Sequence, residues 1–595
     1  MITKGGIKLF GVAGSGKTTT CLNIISYICG LENELDIKLK NMIDGFGIDD
    51  TNINEIGFTS FTKASIDSLL EKLEDNNIFL PKQNYIRTLN SITWRLAGFD
   101  NNNQMKPKET KDFFDTIHIS TRRKDDEEGE KSEYEHIKDI YNALLNTFAK
   151  RLERINNDDI EIYLVDVYSL KTDVLDSMSV ETIISALRKY DKWKTENNKC
   201  DYVDSFIYII ENKIDIPVRI LVVDEAQDLS FIQTQIIDLW VKEFNKEIFI
   251  IAGDDDQTVH EWNGAKPEYL IEFNYGGIKK HFLERSYRLP SNIANMCNDI
   301  LSKINYREKK KIYSLKKDGE IIYMPLFNMF NLPNLLQKFY DSGESNKLLF
   351  RTNNIKKEIS DYLFENSNIV FGFIGNVESR WSKKFLCICN ALNKISKNKM
   401  LSKEELVYLL SVLPSRLCLE YGVKTKASKL SEIKEYPTSV FLNMTKLWKQ
   451  QRDLLSFDKD IDNSKIKEQI IKFIKYFTFN EDNIRAIKKN ELYQNKLRKI
   501  KDIINFKQKG KNVEFSTKLG TYHSAKGLES DNVFIFLGTC NYFQDINDSE
   551  KRCFYVASSR PKERIFFIGS MNGQKTFLEE EFRDIIKEHR TSGVL

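Results

Sequence analysis

Apolar, β-branched runs alternate along this chain with stretches whose apolar residues recur every three or four positions. IKLF at 7–10, IGFTSF at 56–61, VRILVVD at 218–224 and EIFIIAGD at 247–254 predict strands. Runs this continuously apolar, closing on Gly or Asp and separated by helical patterns, predict a parallel sheet covered on both faces. Between the second and third strands, 100–205 is polar and helical in pattern, and its charge run at 121–136 reads as a solvated loop. A second strand-rich block follows at 320–325, 347–353 and 368–375. From 380 to 510 the period becomes helical, as in KEELVYLLSVL and KIKEQIIKFIKYF, and strand signals resume in 521–538 and 564–569. The pattern therefore predicts an α/β protein of two units, each interrupted by a mostly helical insertion.

Length supports that reading, because 595 residues make roughly four segments of domain size. Lys and Arg number 89 against 86 Asp and Glu, so no global positive field exists to hold nucleic acid. Any such contact must come from local patches, and Lys496 to Lys511, with seven basic residues facing Asp502, is one candidate. The longest apolar runs are too short to span a bilayer, and the N-terminus lacks a signal-peptide core, so the expectation is a cytoplasmic protein with no membrane partner. Nine scattered cysteines without a C-x-x-C pair predict reduced core thiols and no zinc or iron–sulfur site.

Gly11-Val12-Ala13-Gly14-Ser15-Gly16-Lys17-Thr18 fits G-x-x-x-x-G-K-[ST] and lies where a strand gives way to a helix. Glycines let backbone N–H groups turn toward phosphate oxygens, and the helix N-terminus adds positive potential. Lys17 would reach the β/γ-phosphates of ATP, Thr18 would ligate Mg²⁺, and Thr19 completes the candidate nucleotide-binding set. Asp224-Glu225 closes the third apolar strand. A carboxylate there is placed to complete the Mg²⁺ shell, and Glu225 to orient and deprotonate the attacking water.

Around these residues the sequence resembles the UvrD/Rep-like superfamily 1A helicases. Asp224-Glu225-Ala226-Gln227-Asp228 is similar to that family's motif II, and Thr59 to Ala64 to motif Ia. Gly253-Asp254-Asp255-Asp256-Gln257 with Trp262-Asn263-Gly264-Ala265 resembles motif III, and Ser286-Tyr287-Arg288 motif IV. Thr521 to Glu529 resembles motif V, and Tyr555 to Arg560 motif VI. The segment from Tyr190 to Asp204 resembles the stretch before motif II. The motifs follow in order over nearly the whole chain.

The resemblance implies two RecA-like P-loop domains. Their bounds would be 1–99 with 206–285 and 286–379 with 511–595, with helical insertions at 100–205 and 380–510. It implies that Gln257 senses the γ-phosphate, that the second domain presents Arg288 and Arg560 to the transferring phosphoryl group, that Tyr287 stacks on the base and that Glu529 contacts the ribose. Single-stranded DNA would meet Thr62, Lys63, Thr88, Ser91, His260, Trp262, His523 and Lys526. The implied activity is ATP-driven 3′–5′ translocation on single-stranded DNA and helicase action at single-strand/duplex junctions, in replication or repair. The alternative is a nucleic-acid-sensing ATPase subunit of a defence, repair or recombination complex.

Three departures stand out. Residues 1–10 contain no Gln to read adenine. Leu89-Asn90 replaces the family's Phe-His, and the second insertion lacks the Gly-Ile-Gly hairpin. His260 stands where a Tyr is usual. The chain ends soon after Arg560, so no fused nuclease domain is expected.

Overall fold

The structure is a computed structural model. It describes residues 5–374 and 516–591, apart from 32, 48–50, 61–62, 76–79, 81–83, 122–131, 166–177, 245, 262–263, 276, 326–327, 368, 370, 539–545 and 570–576; between those blocks it describes only 394, 400–403 and 405–407. Nearly all of the insertion expected at 380–510, with its basic stretch at 496–511, thus lies outside the described residues, as does most of the charge run at 121–136.

By contacts the chain divides into two compact units. The first comprises Met1–Glu320, Gln544–Glu563 and Glu581–Thr591. Its five strands are β1 (Gly5–Gly11), β2 (Ile56–Ser60), β3 (Ile220–Asp224), β4 (Ile248–Gly253) and β5 (Lys279–Leu283), ordered β2-β3-β4-β1-β5. Every pairing is parallel. Side chains alternate across a strand, so one set of apolar runs feeds two cores. Ile220, Val222, Ile248 and Ile250 pack on one face with Ile24 and Ile25 of the helix Lys17–Ile28. Leu221, Val223, Phe249 and Ile251 pack on the other face, with Tyr141, Leu187, Tyr190 and Phe206 of the first helical insertion. That insertion therefore completes the sheet's own core. Its helices Val180–Glu196 and Tyr202–Glu211 are pinned where Lys194, 3% exposed, meets Asp201 and Asp204.

The second unit comprises Ile321–Phe543, Arg564–Glu580 and Ser592–Leu595. Its sheet takes the order β6-β11-β10-β7-β9-β8, with β6 Glu320–Met324, β7 Asn346–Phe350, β8 Phe371–Phe373, β9 Thr517–Thr521, β10 Ser530–Phe536 and β11 Pro561–Ile568. Rings fill its core, with Phe534 and Phe566 stacked at 4.4 Å.

Two strands lie outside the apolar pattern. β5 is an edge strand, reads KKHFL and leaves Lys279 and Lys280 exposed, as edge strands do to deter pairing. β9, reading TKLGT, is interior but carries one large apolar residue. The contact-based division also differs from the sequence-based bounds. Residues 286–320, 544–563 and 581–591, expected with the second domain, group with the first sheet. For 286–320 the ties are polar: Tyr287 N–H donates to the Gly14 carbonyl at 2.9 Å, and Arg307 and Lys310 pair with carboxylates after β4.

Candidate active site

Register gathers the first unit's chemistry at one end of its sheet. Phe10 is level with Gly253, Gly11 with Leu283, and Ser60 with Asp224. In parallel sheets this carboxyl end is where loops converge on ligands. The loop after β1 needs its glycines: Gly14 and Gly16 have φ of +70° and +75°. A Cβ on Gly14 would stand 2.6 Å from Cβ of Arg288. The same loop is gripped from motif IV, because Ser286 Oγ donates to the Ala13 carbonyl at 2.8 Å. The helix after it starts at Lys17, which is buried and donates to the Gly11 and Val12 carbonyls at 3.3 and 3.4 Å. Thr19 lies in that helix's first turn.

Thr18 Oγ1 donates to Asp224 Oδ2 at 2.7 Å. The other oxygen of Asp224 is buried without a hydrogen-bond partner, as is Ser15 Oγ. Burial, and next the neighbouring Glu225 charge, push the Asp224 carboxyl up to about 7 against the opposing Thr18 bond and Lys17 charge. A buried carboxylate with one unpaired oxygen beside a hydroxyl fits an oxygen-seeking cation such as Mg²⁺, whose charge would hold it ionised. Unpaired Ser15 and the glycine cradle likewise fit phosphate oxygens.

Glu225 adopts φ 54°, ψ 39°, the left-handed region that costs an L-residue energy. Gln227 holds it there. Its Nε2 donates to Glu225 Oε2 at 2.6 Å while its Oε1 accepts from Asp254 N–H at 2.9 Å. Gly253 makes room, since a Cβ there would lie 2.7 Å from Gln227 Oε1. Four residues on, Gln257 donates to Asp254 Oδ2 at 2.6 Å and accepts from Arg560 Nη2 at 2.9 Å. Arg560 is 1% exposed; it follows the helix Asp548–Ser558 by two residues and donates from Nε to the Val556 carbonyl. Burial, and next the nearby Arg288, lower its guanidinium to about 9. Arg288 donates to the Ser559 carbonyl at 3.4 Å. Tyr287 is 63% exposed, with the Arg285 guanidinium 4.8 Å from its ring centre.

The residues expected on the DNA side are less gathered. Thr88 precedes the helix Leu89–Leu96, on which Ser91 lies half-buried. With Thr59, Ser60, Asn90 and Trp94, Thr88 lines a cavity of about 540 Å³ that reaches Asp224. His260 is half-buried, whereas Thr62, Trp262 and the Lys63 side chain lie outside the described residues. His523 and Lys526, half-buried, and Glu529, exposed, belong to the second unit. Sequence reasoning assigned no role to Gln227, Ser286, Arg307 or Lys310. The first two stood inside quoted motifs, and a basic run at 307–311 opposite three consecutive aspartates was the available signal for the others.

A glycine-cradled loop, a Thr–Asp pair and a buried arginine on one parallel sheet define a P-loop NTPase. Comparison narrows the class. The profile of the UvrD/REP helicase N-terminal domain matches residues 2–275, and that of the UvrD-like helicase C-terminal domain matches 373–572. A probable DNA helicase II homolog of Mycoplasma genitalium is 25% identical over 95% of this chain and 82% of its own length. The ATP-dependent DNA helicase Rep of Buchnera aphidicola (subsp. Schizaphis graminum) is 25% identical over 60% of this chain and 63% of its own length. The ATP-dependent DNA helicase PcrA of Staphylococcus epidermidis is 23% identical, over 62% and 58%. The chain belongs to the UvrD/Rep-like superfamily 1A helicases, enzymes of the DNA-dependent ATPase and helicase class. No helix among its described residues is long and apolar enough to cross a membrane.

Proposed function

We propose that this chain hydrolyses ATP with Mg²⁺ to move 3′ to 5′ along single-stranded DNA and to open duplex at single-strand/duplex junctions. The observation that carries this reading is one constellation: Thr18 bonded to Asp224, Glu225 held in a strained conformation beside them, and Gln257 bonded to Arg560. Thr18 and Asp224 would hold Mg²⁺, which supplies charge neutralisation at the phosphates. Lys17 would leave its loop carbonyls for the β/γ-phosphates. Glu225 would align water and accept its proton. Arg560 and Arg288 would meet the charge that develops on the transferring group. Gln257, touching Arg560 and carried on the loop after β4, would report the phosphate's presence. Tyr287, exposed, would stack on the nucleotide base and Glu529 would meet the ribose. Thr88, Ser91, Thr62, Lys63, His260, Trp262, His523 and Lys526 would follow the DNA strand.

The test uses the purified full chain with forked duplexes carrying either a 3′ or a 5′ single-stranded tail. Hydrolysis stimulated by single-stranded DNA, with unwinding of the 3′-tailed fork alone, is the expected result. Stimulated hydrolysis without unwinding of either fork would favour the sensing ATPase subunit. Unwinding of the 5′-tailed fork alone would reverse the polarity.

A further inference from the structure

Directly beneath Gln257 lies a charge cluster that the proposed reaction does not use. The turn after β4 sets three aspartates in succession, Asp254, Asp255 and Asp256, all fully buried. Their carboxylate oxygens lie close enough together to hold a cation. The side chain of Lys310 occupies that position instead. Its Nζ lies 3.0 Å from Asp254, 2.5 Å from Asp255 and 2.7 Å from Asp256, and the side chain is fully buried. Arg307 adds a two-pronged contact to Asp256, Nε and Nη2 each at 2.7 Å. Three buried carboxylates thus face two cations. Burying charges this way gains little stability over an apolar core, which directs attention to what the cluster orients.

The geometry points to Lys310, with Arg307, as a positioning residue for Gln257, acting through the Asp254 carboxylate. The argument is one of donors and acceptors. A carboxylate in an ion pair with Lys310 offers only acceptors. Asp254 Oδ2 therefore selects the NH₂ end of the Gln257 amide, at 2.6 Å. The carbonyl end must then face the opposite way, where it takes the Arg560 guanidinium at 2.9 Å. Without Lys310, Asp254 Oδ1 loses the cation that anchors the carboxylate, and Oδ2 no longer fixes the NH₂ end of the amide. An amide free to turn over presents NH₂ to a guanidinium, donor against donor. Lys310 touches neither Gln257 nor Arg560, yet it fixes the polarity of the bond between them.

This inference rests on the reading of Gln257 and Arg560 as parts of an ATPase site. The experiment is steady-state and single-turnover hydrolysis by the full chain on saturating single-stranded DNA. Lys310→Met should lower kcat by about tenfold to a hundredfold, the scale on which a misdirected catalytic group acts, with KM for ATP within about twofold. Lys310→Arg should restore most of the loss. In a Gln257→Ala background, Lys310→Met should cost less than about a further twofold, because both changes remove one interaction. Asp254→Asn keeps the volume and removes one charge, so it guards against a Lys310 variant that fails to fold. It too should lower kcat, and non-additively with Gln257→Ala. Wild-type kcat in Asp254→Asn, or fully additive losses in the double variants, would overturn the inference while leaving the proposed function standing. An unsubstituted chain with no DNA-stimulated hydrolysis would overturn the proposed function itself.

Discussion

Both units are built on mainly parallel sheets with apolar cores, yet among the described residues only the first leaves buried side-chain polar atoms unpaired. In the second unit, Asn532 lies fully buried and donates to Glu344 and Asn346 at 2.8 and 3.0 Å while accepting from Arg564 at 3.1 Å. Asn346 in turn donates to the Glu344 carbonyl and to Thr517. No buried side-chain nitrogen or oxygen among that unit's described residues lacks a hydrogen bond. In the first unit, Ser15 Oγ, Thr59 Oγ1 and Asp224 Oδ1 are buried and unpaired, and all lie around the carboxyl end of the sheet. Native proteins satisfy buried polar groups, so a cluster of exceptions needs a cause outside the fold. The satisfied set holds strands together. Unpaired atoms also occur elsewhere in the first unit, as at His281, but Ser15 and Asp224 stand where phosphate and a cation would bind.

The largest expected effect falls in the first unit on a cation that is buried and partnered, yet placed beside the phosphate loop's machinery. Arg560→Ala should reduce DNA-stimulated kcat by about 10³-fold or more, the range for a guanidinium that meets a transferring phosphoryl group. A rate within tenfold of the unsubstituted chain would make Arg560 a structural cation, like Arg564 in the second unit. Glu225→Gln comes next, with a loss of about 10²–10⁴-fold, as for a positioned general base. The amide can still be held by Gln227 and the φ of 54° is unchanged in kind, so the site should still capture ATP. Filter binding with labelled ATP separates the cases: a variant that neither binds nor hydrolyses would show that Glu225 shapes the loop rather than the reaction.

What was legible in the sequence follows the same division. Four strands of the first sheet announce themselves because each is a continuous apolar run; β5 and β9 do not, because Lys, Thr and Gly fill positions that packing leaves polar. The phosphate loop and Asp224-Glu225 were visible because their chemistry is local, set by neighbours in the chain. The Lys310 cluster was not. Its carboxylates and its cation are more than fifty residues apart, and only the packing of 286–320 against the first sheet brings them together. Nor could spacing show that Ser286–Arg288 and Tyr555–Arg560 share a unit with the phosphate loop. That depends on hydrogen bonds such as Ser286 to Ala13 and Ala13 to Tyr555, whose partners are hundreds of positions distant.

A smaller effect tests the satisfied side. Asn532→Ala should destabilise the second unit by about 1–3 kcal/mol, because Asn346 and Arg564 each lose a buried partner. The loss should appear in urea unfolding, while kcat per folded molecule stays unchanged. A fall in kcat without a fall in stability would mean that the second sheet's polar ladder takes part in the reaction.

The smallest effect is the sharpest test of the contrast. Ser15 Oγ and the Asn532 amide are both buried, so burial alone assigns them a similar worth. Partnership assigns them opposite ones. Removing a hydroxyl that has no partner costs no hydrogen bond, and it relieves the penalty of keeping a polar atom dry. Ser15→Ala should therefore shift stability without nucleotide by less than about 0.5 kcal/mol, or raise it slightly. The loss should appear only when phosphate is supplied: nucleotide binding should weaken by about 0.5–1.5 kcal/mol, one neutral hydrogen bond. Urea unfolding with and without a non-hydrolysable ATP analogue reads both quantities on one protein. If Ser15→Ala destabilises the nucleotide-free chain as much as Asn532→Ala does, the hydroxyl already has a partner within the fold, and unpaired burial no longer marks the site.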